Sequence, residues 1–147
     1  MKTDLVVAGY TVHKGRVLLI HHRKSNLWLP PGGHIDENEV PDDALLREIK
    51  EELNLDVEIV DMGDAPKKTN VLRHLALPFH VNVHRAGDHN HCCFYYLCSV
   101  NEPAIKHNKL EVKDFMWFSP EDLDNELVPP DVKDIALKAL ELSAKFQ

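Results

Sequence analysis

The stretch GGHIDENEVPDDALLREIKEELNL, Gly32–Leu55, carries eight carboxylates, opens on two glycines and closes on a helical pattern. Leu45, Leu46, Ile49 and Leu53 recur at helical spacing, Pro41 suits a first helical turn, and Asp42 and Asp43 favour the positive end of the helix dipole. These signals predict a helix from Pro41 to Leu53. Asn54 then suits its left-handed cap, because Asn follows only Gly in tolerating positive φ.

On that helix Glu48, Glu51 and Glu52 stand at i, i+3 and i+4 and share one face. Three adjacent anions repel one another unless a positive group sits between them. Magnesium takes oxygen ligands and commonly bridges carboxylates to a substrate phosphate, whereas zinc favours His or Cys, which this face lacks. The same spacing also fits a plain solvated acidic face, so the charges alone leave both readings open. Arg47 can pair with Glu51 at i, i+4, and Glu39 lies far enough upstream to fold back onto Arg47. Gly32 and Gly33 permit a close backbone approach to a metal or phosphate.

Upstream of this stretch, the β-rich runs Leu5–His13 and Arg16–His22 flank a short Lys-Gly turn, as in a hairpin of two central strands. Between Arg23 and Gly33 two prolines and two glycines predict loop or short strand. Downstream, Leu55–Met62 alternates as a strand and Met62–Asn70 reads as a polar loop. Further strands are expected at Pro78–Arg85, His91–Val100 and Glu111–Ser119. A second amphipathic helix is expected over Pro130–Lys145, where Val132, Ile135, Ala136, Ala139, Leu140 and Leu142 form an apolar face. Many strands with one helix in the middle and one at the end predict an α/β/α sandwich around a mixed β-sheet, with residues 1–147 forming a single domain.

The net charge of −7 argues against extended nucleic-acid binding or an anionic membrane surface. No apolar run approaches the length of a bilayer span, and the first residues lack the order of a signal peptide. Three cysteines, two of them adjacent, make a poor disulfide framework. A cytoplasmic protein with reduced thiols is expected.

Gly33, Glu39, Arg47, Glu48, Ile49, Glu51, Glu52 and Leu55 stand in the register G-x5-E-x7-R-E-U-x-E-E-x-G-U, with U a bulky aliphatic residue, so the chain resembles the Nudix hydrolase family. Asn54 replaces the family glycine, a mild change that removes no ligand. The preceding LWLPPGGH, Leu27–His34, also looks like the family's lead-in. The resemblance implies a Nudix-type sandwich that hydrolyses phosphoanhydride bonds of nucleoside diphosphate-linked substrates, including nucleoside triphosphates, modified nucleotides and nucleotide sugars. It implies Mg2+, or Mn2+, held by Glu48, Glu51, Glu52 and the Gly33 carbonyl, with Arg47 and Glu39 as a structural pair. Glu51 or Glu52 is a candidate proton acceptor, and so are Glu102 and Glu111 outside the box. A homodimer is in keeping with family habit. The alternative from another class is a nucleotide-sensing module that keeps the fold without turnover, although such modules usually carry damaged boxes.

Substrate choice stays open at this level: Thr69–Leu72 offers neither the proline nor the tyrosine that marks certain Nudix subgroups. Arg23 and Lys24, at a strand end near the box, are candidates for meeting phosphate, and Trp28 for stacking on a base, against the simpler reading that Trp28 packs under its loop. The run HRAGDHNHCC, His84–Cys93, raises the question of zinc. His89 and His91 would share one side of a strand with Cys93, but four ligands at a zinc spacing cannot be read there, and a hairpin end bordering the substrate pocket or solvent is the simpler expectation. Tyr95 and Tyr96 should point to opposite faces of their strand.

Overall fold

The computed structural model describes residues 1–63, 66 and 70–146. Its elements are β1 (Thr3–His13), β2 (Arg16–His22), β3 (Trp28–Leu29), β4 (Gly32–His34), α1 (Pro41–Leu53), β5 (Glu58–Ile59), β6 (His80–Ala86), β7 (His89–Ser99), β8 (Val112–Phe118), a 3-10 turn at Glu121–Leu123 and α2 (Pro130–Lys145). The polar loop expected over Met62–Asn70, and Thr69 with it, falls mostly outside the described residues. Among the described residues no helix is long and apolar enough to cross a membrane.

The strands form one mixed sheet in the order β3-β2-β1-β7-β5, with β4 on β1, β6 on β7 and β8 on β2. Strand β1 pairs with β7 in parallel from Thr3↔Asn90 to Val12↔Ser99, and the other pairings are antiparallel. Lys14 and Gly15 both take positive φ, 51° and 74°, as a two-residue hairpin turn requires. This closes β1 onto β2.

Side-chain alternation divides the core in two. Val6, Ala8, Tyr10, Val12, Cys93, Tyr95 and Leu97 pack with Val132, Ile135, Ala136 and Ala139 of α2. On the other face Val7, Leu18, Ile20, Tyr96 and Cys98 pack with Ala44, Leu45, Ile49 and Leu53 of α1. Burial on both faces explains why β1 reads as a nearly continuous apolar run. It also separates Tyr95 from Tyr96 as expected. At Gly9 an added Cβ would lie 3.2 Å from Leu45, Ile49 and Cys98 atoms, so this glycine lets α1 sit close to the sheet.

Helix α1 starts after Val40 without a side-chain cap, with Pro41 at its first turn. It ends at Asn54, φ 50° and ψ 39°, whose N–H reaches the Lys50 carbonyl. The strand expected over Leu55–Met62 contracts to Glu58–Ile59. Leu55 turns into the α1 cluster instead, and only Glu58↔Ser99 and Ile59↔Cys98 pair in register at this sheet edge.

Candidate active site

The loop from Pro31 through β4 lies over one edge of α1, and the register Val7↔Gly33 directs Gly33 toward that helix. An added Cβ on Gly33 would stand 2.4 Å from Glu48 Cδ and 2.6 Å from both of its carboxylate oxygens. Glycine is therefore needed for Glu48 to occupy this position. One helical turn on, Glu52 is only 4% exposed and accepts a hydrogen bond from the Gly32 N–H at 2.9 Å. Burial, followed by the negative charges of Glu48, Glu111 and Glu51, pushes Glu52 up to about 8. Burial likewise raises Glu48, against the lowering influence of Arg47. Glu51 projects to solvent, its side chain 55% exposed.

Arg47 organises the loop around these carboxylates. Its Nε and one terminal nitrogen bond the two Glu39 oxygens at 2.9 and 3.0 Å, a fork that only a planar guanidinium makes. The other terminal nitrogen reaches Glu48 at 2.9 Å and Glu51 at 3.3 Å, and the His34 carbonyl accepts a further bond at 3.0 Å. Glu39 also accepts the Asp36 N–H, and these bonds, Arg47 foremost, hold its carboxyl below the usual range. Arg47 thus ties the loop to the helix and holds Glu48 in place.

A cleft of about 590 Å³ opens beside this cluster, lined by Glu48, Glu52, Gly32, Gly33, Glu111, Arg23 and Lys24 among others. Arg23 and Lys24 thus line the same cleft as the carboxylates, with Arg23 Nε anchored on the Lys109 carbonyl at 3.0 Å. Of the two glutamates outside the box, Glu111 is at the cleft, because backbone bonds from Asn108 to Glu52 and from Arg23 to Glu111 fold its loop against both flanking elements. Glu102 lies elsewhere, beside His13 and Lys14.

Trp28, a candidate for base stacking, is instead 9% exposed in the α2-side core, stacked on His21 at 4.7 Å and edge-on to Phe118 at 5.1 Å. Its position in β3, paired His21↔Trp28, turns the ring away from the cleft. The larger apolar surface for a ligand is a second cavity, also about 590 Å³, between the sheet and α2. Its lining includes Val6, Ala8, Tyr10, Tyr95, Asp131 and Val132, and it shares Leu29, Pro30, Gly32, Gly33, His34 and His91 with the cleft. The Tyr10 hydroxyl is buried there without a hydrogen-bond partner among the described residues. Sequence alternation put Tyr95 and Tyr96 on opposite faces without singling out Tyr10, since a cavity left between sheet and helix has no signature in either element.

A carboxylate cluster with one deeply buried member and two cations thus line one groove of an α/β/α sandwich. The NUDIX domain family matches residues 3–139, and the chain belongs to that family of hydrolases. It is 35% identical over 79 residues to an 8-oxo-dGTP diphosphatase of Proteus vulgaris, an alignment covering 50% of this chain and 70% of the relative. A NUDIX-family hydrolase from Clostridium perfringens superposes with a TM-score of 0.82 at 29% identity, covering 97% of this chain and 99% of that one. A MutT NUDIX hydrolase from Burkholderia pseudomallei gives 0.70 at 22% identity, covering 96% and 98%, a likeness of fold.

Proposed function

We propose that this chain is a metal-dependent pyrophosphohydrolase that holds the diphosphate of a nucleotide in the carboxylate cleft and its nucleoside in the adjoining α2-side cavity. The observation that carries this reading is the crowding of Glu48, Glu52 and Glu111 in one cleft with Arg23 and Lys24. Buried Glu52 and half-buried Glu48, both raised by desolvation first and by neighbouring carboxylates after it, are poised to gain from a divalent cation. Glu48, Glu52 and the Gly33 carbonyl, with Glu51 at the solvent side, would hold magnesium or manganese, and the oxygen-only donor set fits either. When bound, such an ion polarises phosphoryl oxygens and acidifies a coordinated water.

The chain's own groups supply the rest. Arg23 and Lys24 offset charge on the phosphate chain, and Arg47 keeps Glu48 oriented through Glu39 and His34. Glu111, exposed and outside the Arg47 network, would accept a proton from the attacking water. In the cavity the unpaired Tyr10 hydroxyl and the Asp131 carboxylate offer polar contacts to a base that lies against Val6, Ala8 and Tyr95. A nucleoside triphosphate with an oxidised base, the substrate type named for the Proteus vulgaris relative, is the first to test. A cytoplasmic setting suits the free thiols of Cys92, Cys93 and Cys98.

The test is product release with magnesium from the four dNTPs, 8-oxo-dGTP, ADP-ribose and a nucleotide sugar. Turnover of a triphosphate is expected, lost in Glu52→Gln and reduced about 100-fold or more in Glu111→Gln. Turnover unchanged in both variants refutes the assignment.

A further inference from the structure

On the face of the sheet opposite α1, strand register gathers four metal-binding side chains from three distant parts of the chain. Asp4↔His91 are direct partners across the parallel β1·β7 pair, and Val6↔His34 brings β4 alongside β1. His89 lies two residues before His91 on β7 and so shares its side. One ligand atom from each of Asp4, His34, His89 and His91 falls within 4.8 Å of every other. Cys93, expected from spacing to join His89 and His91, is buried in the α2-side core and takes no part.

Three of the six ligand–ligand distances approach those of a coordination shell. Asp4 Oδ2 lies 3.3 Å from His34 Nε2 and 3.6 Å from His89 Nε2, and His89 Nε2 lies 3.0 Å from His91 Nε2. Four ligands at about 2.0–2.1 Å from a tetrahedral ion are separated by roughly 3.3 Å along each edge. Three of the six edges are therefore already close to that length, through one and the same atom of each residue. Two of the atoms that would not bind metal have other partners: Asp4 Oδ1 lies 3.4 Å from Lys2 Nζ, and His89 Nδ1 is 2.9 Å from Asp88 Oδ1. A carboxylate on the far nitrogen is the arrangement that fixes the tautomer of a ligating imidazole.

We propose that Asp4, His34, His89 and His91 form a tetrahedral binding site for a divalent transition ion of the zinc class, distinct in its ligands from the glutamate site although His34 and His91 also line the cleft. The donor set of three imidazoles and one carboxylate selects zinc or cobalt over magnesium. Four protein ligands leave no open position, so the ion is structural: it clips the start of β1 to β4 and to the β6–β7 hairpin. His34 follows Gly33 directly, so the same clip steadies the loop that covers Glu48.

The experiment uses the full chain, free of any histidine tag and stripped of metal, with millimolar magnesium present to occupy the carboxylate site. Cobalt(II) is titrated and its visible absorption recorded, then zinc is used to displace it. One equivalent with the intense bands of tetrahedral cobalt is expected, retained in the Glu48→Gln/Glu52→Gln double variant. His89→Asn and the exposed-site variant His34→Asn should each weaken zinc by more than about 10-fold, since loss of even an outer-shell partner costs 10–100-fold. Far-UV circular dichroism identifies a variant that fails to fold, and the wild-type cobalt spectrum tests the site without any variant. Pale octahedral cobalt, no uptake beyond magnesium, zinc affinity unchanged in folded histidine variants, or binding lost with the glutamates each overturns the proposal.

Discussion

Replacing Gly33 by alanine should separate catalysis from folding, because the obstruction it creates falls on a functional side chain. The new Cβ would stand 2.4 Å from Glu48 Cδ, whereas ordinary carbon contacts begin near 3.4 Å, so the carboxylate must retreat by about 1 Å. Gly33 does not take positive φ, so alanine brings no backbone strain of that kind. What moves is the far end of a flexible side chain, and the stability cost should stay within about 1 kcal/mol. Misplacing a catalytic group by 1 Å can cost on the order of 100-fold in rate. Gly32→Ala provides the contrast: its Cβ would lie 2.1 Å from the Val7 carbonyl oxygen and 2.8 Å from Ala8 Cα, and backbone of the central strand cannot step aside. The prediction is that Gly33→Ala unfolds within a few degrees of the parent but turns over about 100-fold more slowly, while Gly32→Ala loses thermal stability first. Nucleotide hydrolysis with magnesium and differential scanning calorimetry read both. Gly33→Ala within about threefold of the parent rate would refute the placement of Glu48 at the reaction site.

Arg47→Lys keeps the charge but loses the fork to Glu39 and the separate reach to Glu48 and the His34 carbonyl, so turnover should fall about 10–100-fold with the fold retained, as assayed by kcat at saturating magnesium. For the metal-free protein, Glu52 predicts a pH dependence whose sign follows from its upward shift: between the ordinary carboxylate value of about 4.5 and the folded value of about 8, the native state holds a proton the unfolded state has released. Its contribution to stability therefore falls as pH rises through that window, and chelator-treated Glu52→Gln should show a flatter denaturation midpoint from pH 5 to 8 than the parent; equal slopes would count against the burial of Glu52. Burial pushes the Cys93 and Cys98 thiols up to about 12, leaving a thiolate fraction on the order of 10⁻⁴ at pH 8. Iodoacetamide followed by peptide mass mapping should mark the partly exposed Cys92 first, and comparable labelling of all three would contradict the packing of β7.

The helix carrying the glutamates was fully legible in the sequence, from Pro41 to Leu53, because local periodicity, an N-terminal proline and a capping Asn all point the same way and no distant contact is needed. The pairing of Glu39 with Arg47 was legible for a similar reason: both flank one short loop. Glu111 was not separable from Glu102 by sequence, since its arrival at the cleft depends on backbone bonds to residues more than 50 positions away, at Glu52 and Arg23. Trp28 could be read as binding or packing, and only the pairing of the two-residue strand β3 with His21 turns it into the core. The strand expected after Leu55 mostly failed to form because an alternating pattern also fits a segment whose apolar residues dock under a helix.

The same dependence on register links the two sites at this end of the sheet. Strand β4 has only three residues, yet its alternation sends Gly33 to the α1 face against Glu48 and the next side chain, His34, to the opposite face beside Asp4 and His91. A shift of one residue in the pairing of β4 with β1 would exchange those faces and put an imidazole where Glu48 now packs. The register is held from both sides, by the Ile35 N–H on the Leu5 carbonyl and the Gly9 N–H on the Pro31 carbonyl, and Arg47 adds a bond to the His34 carbonyl. Anything that tightens the histidine cluster must therefore act on the backbone that roofs the glutamates, even though the two sets of side chains lie on opposite faces of the sheet.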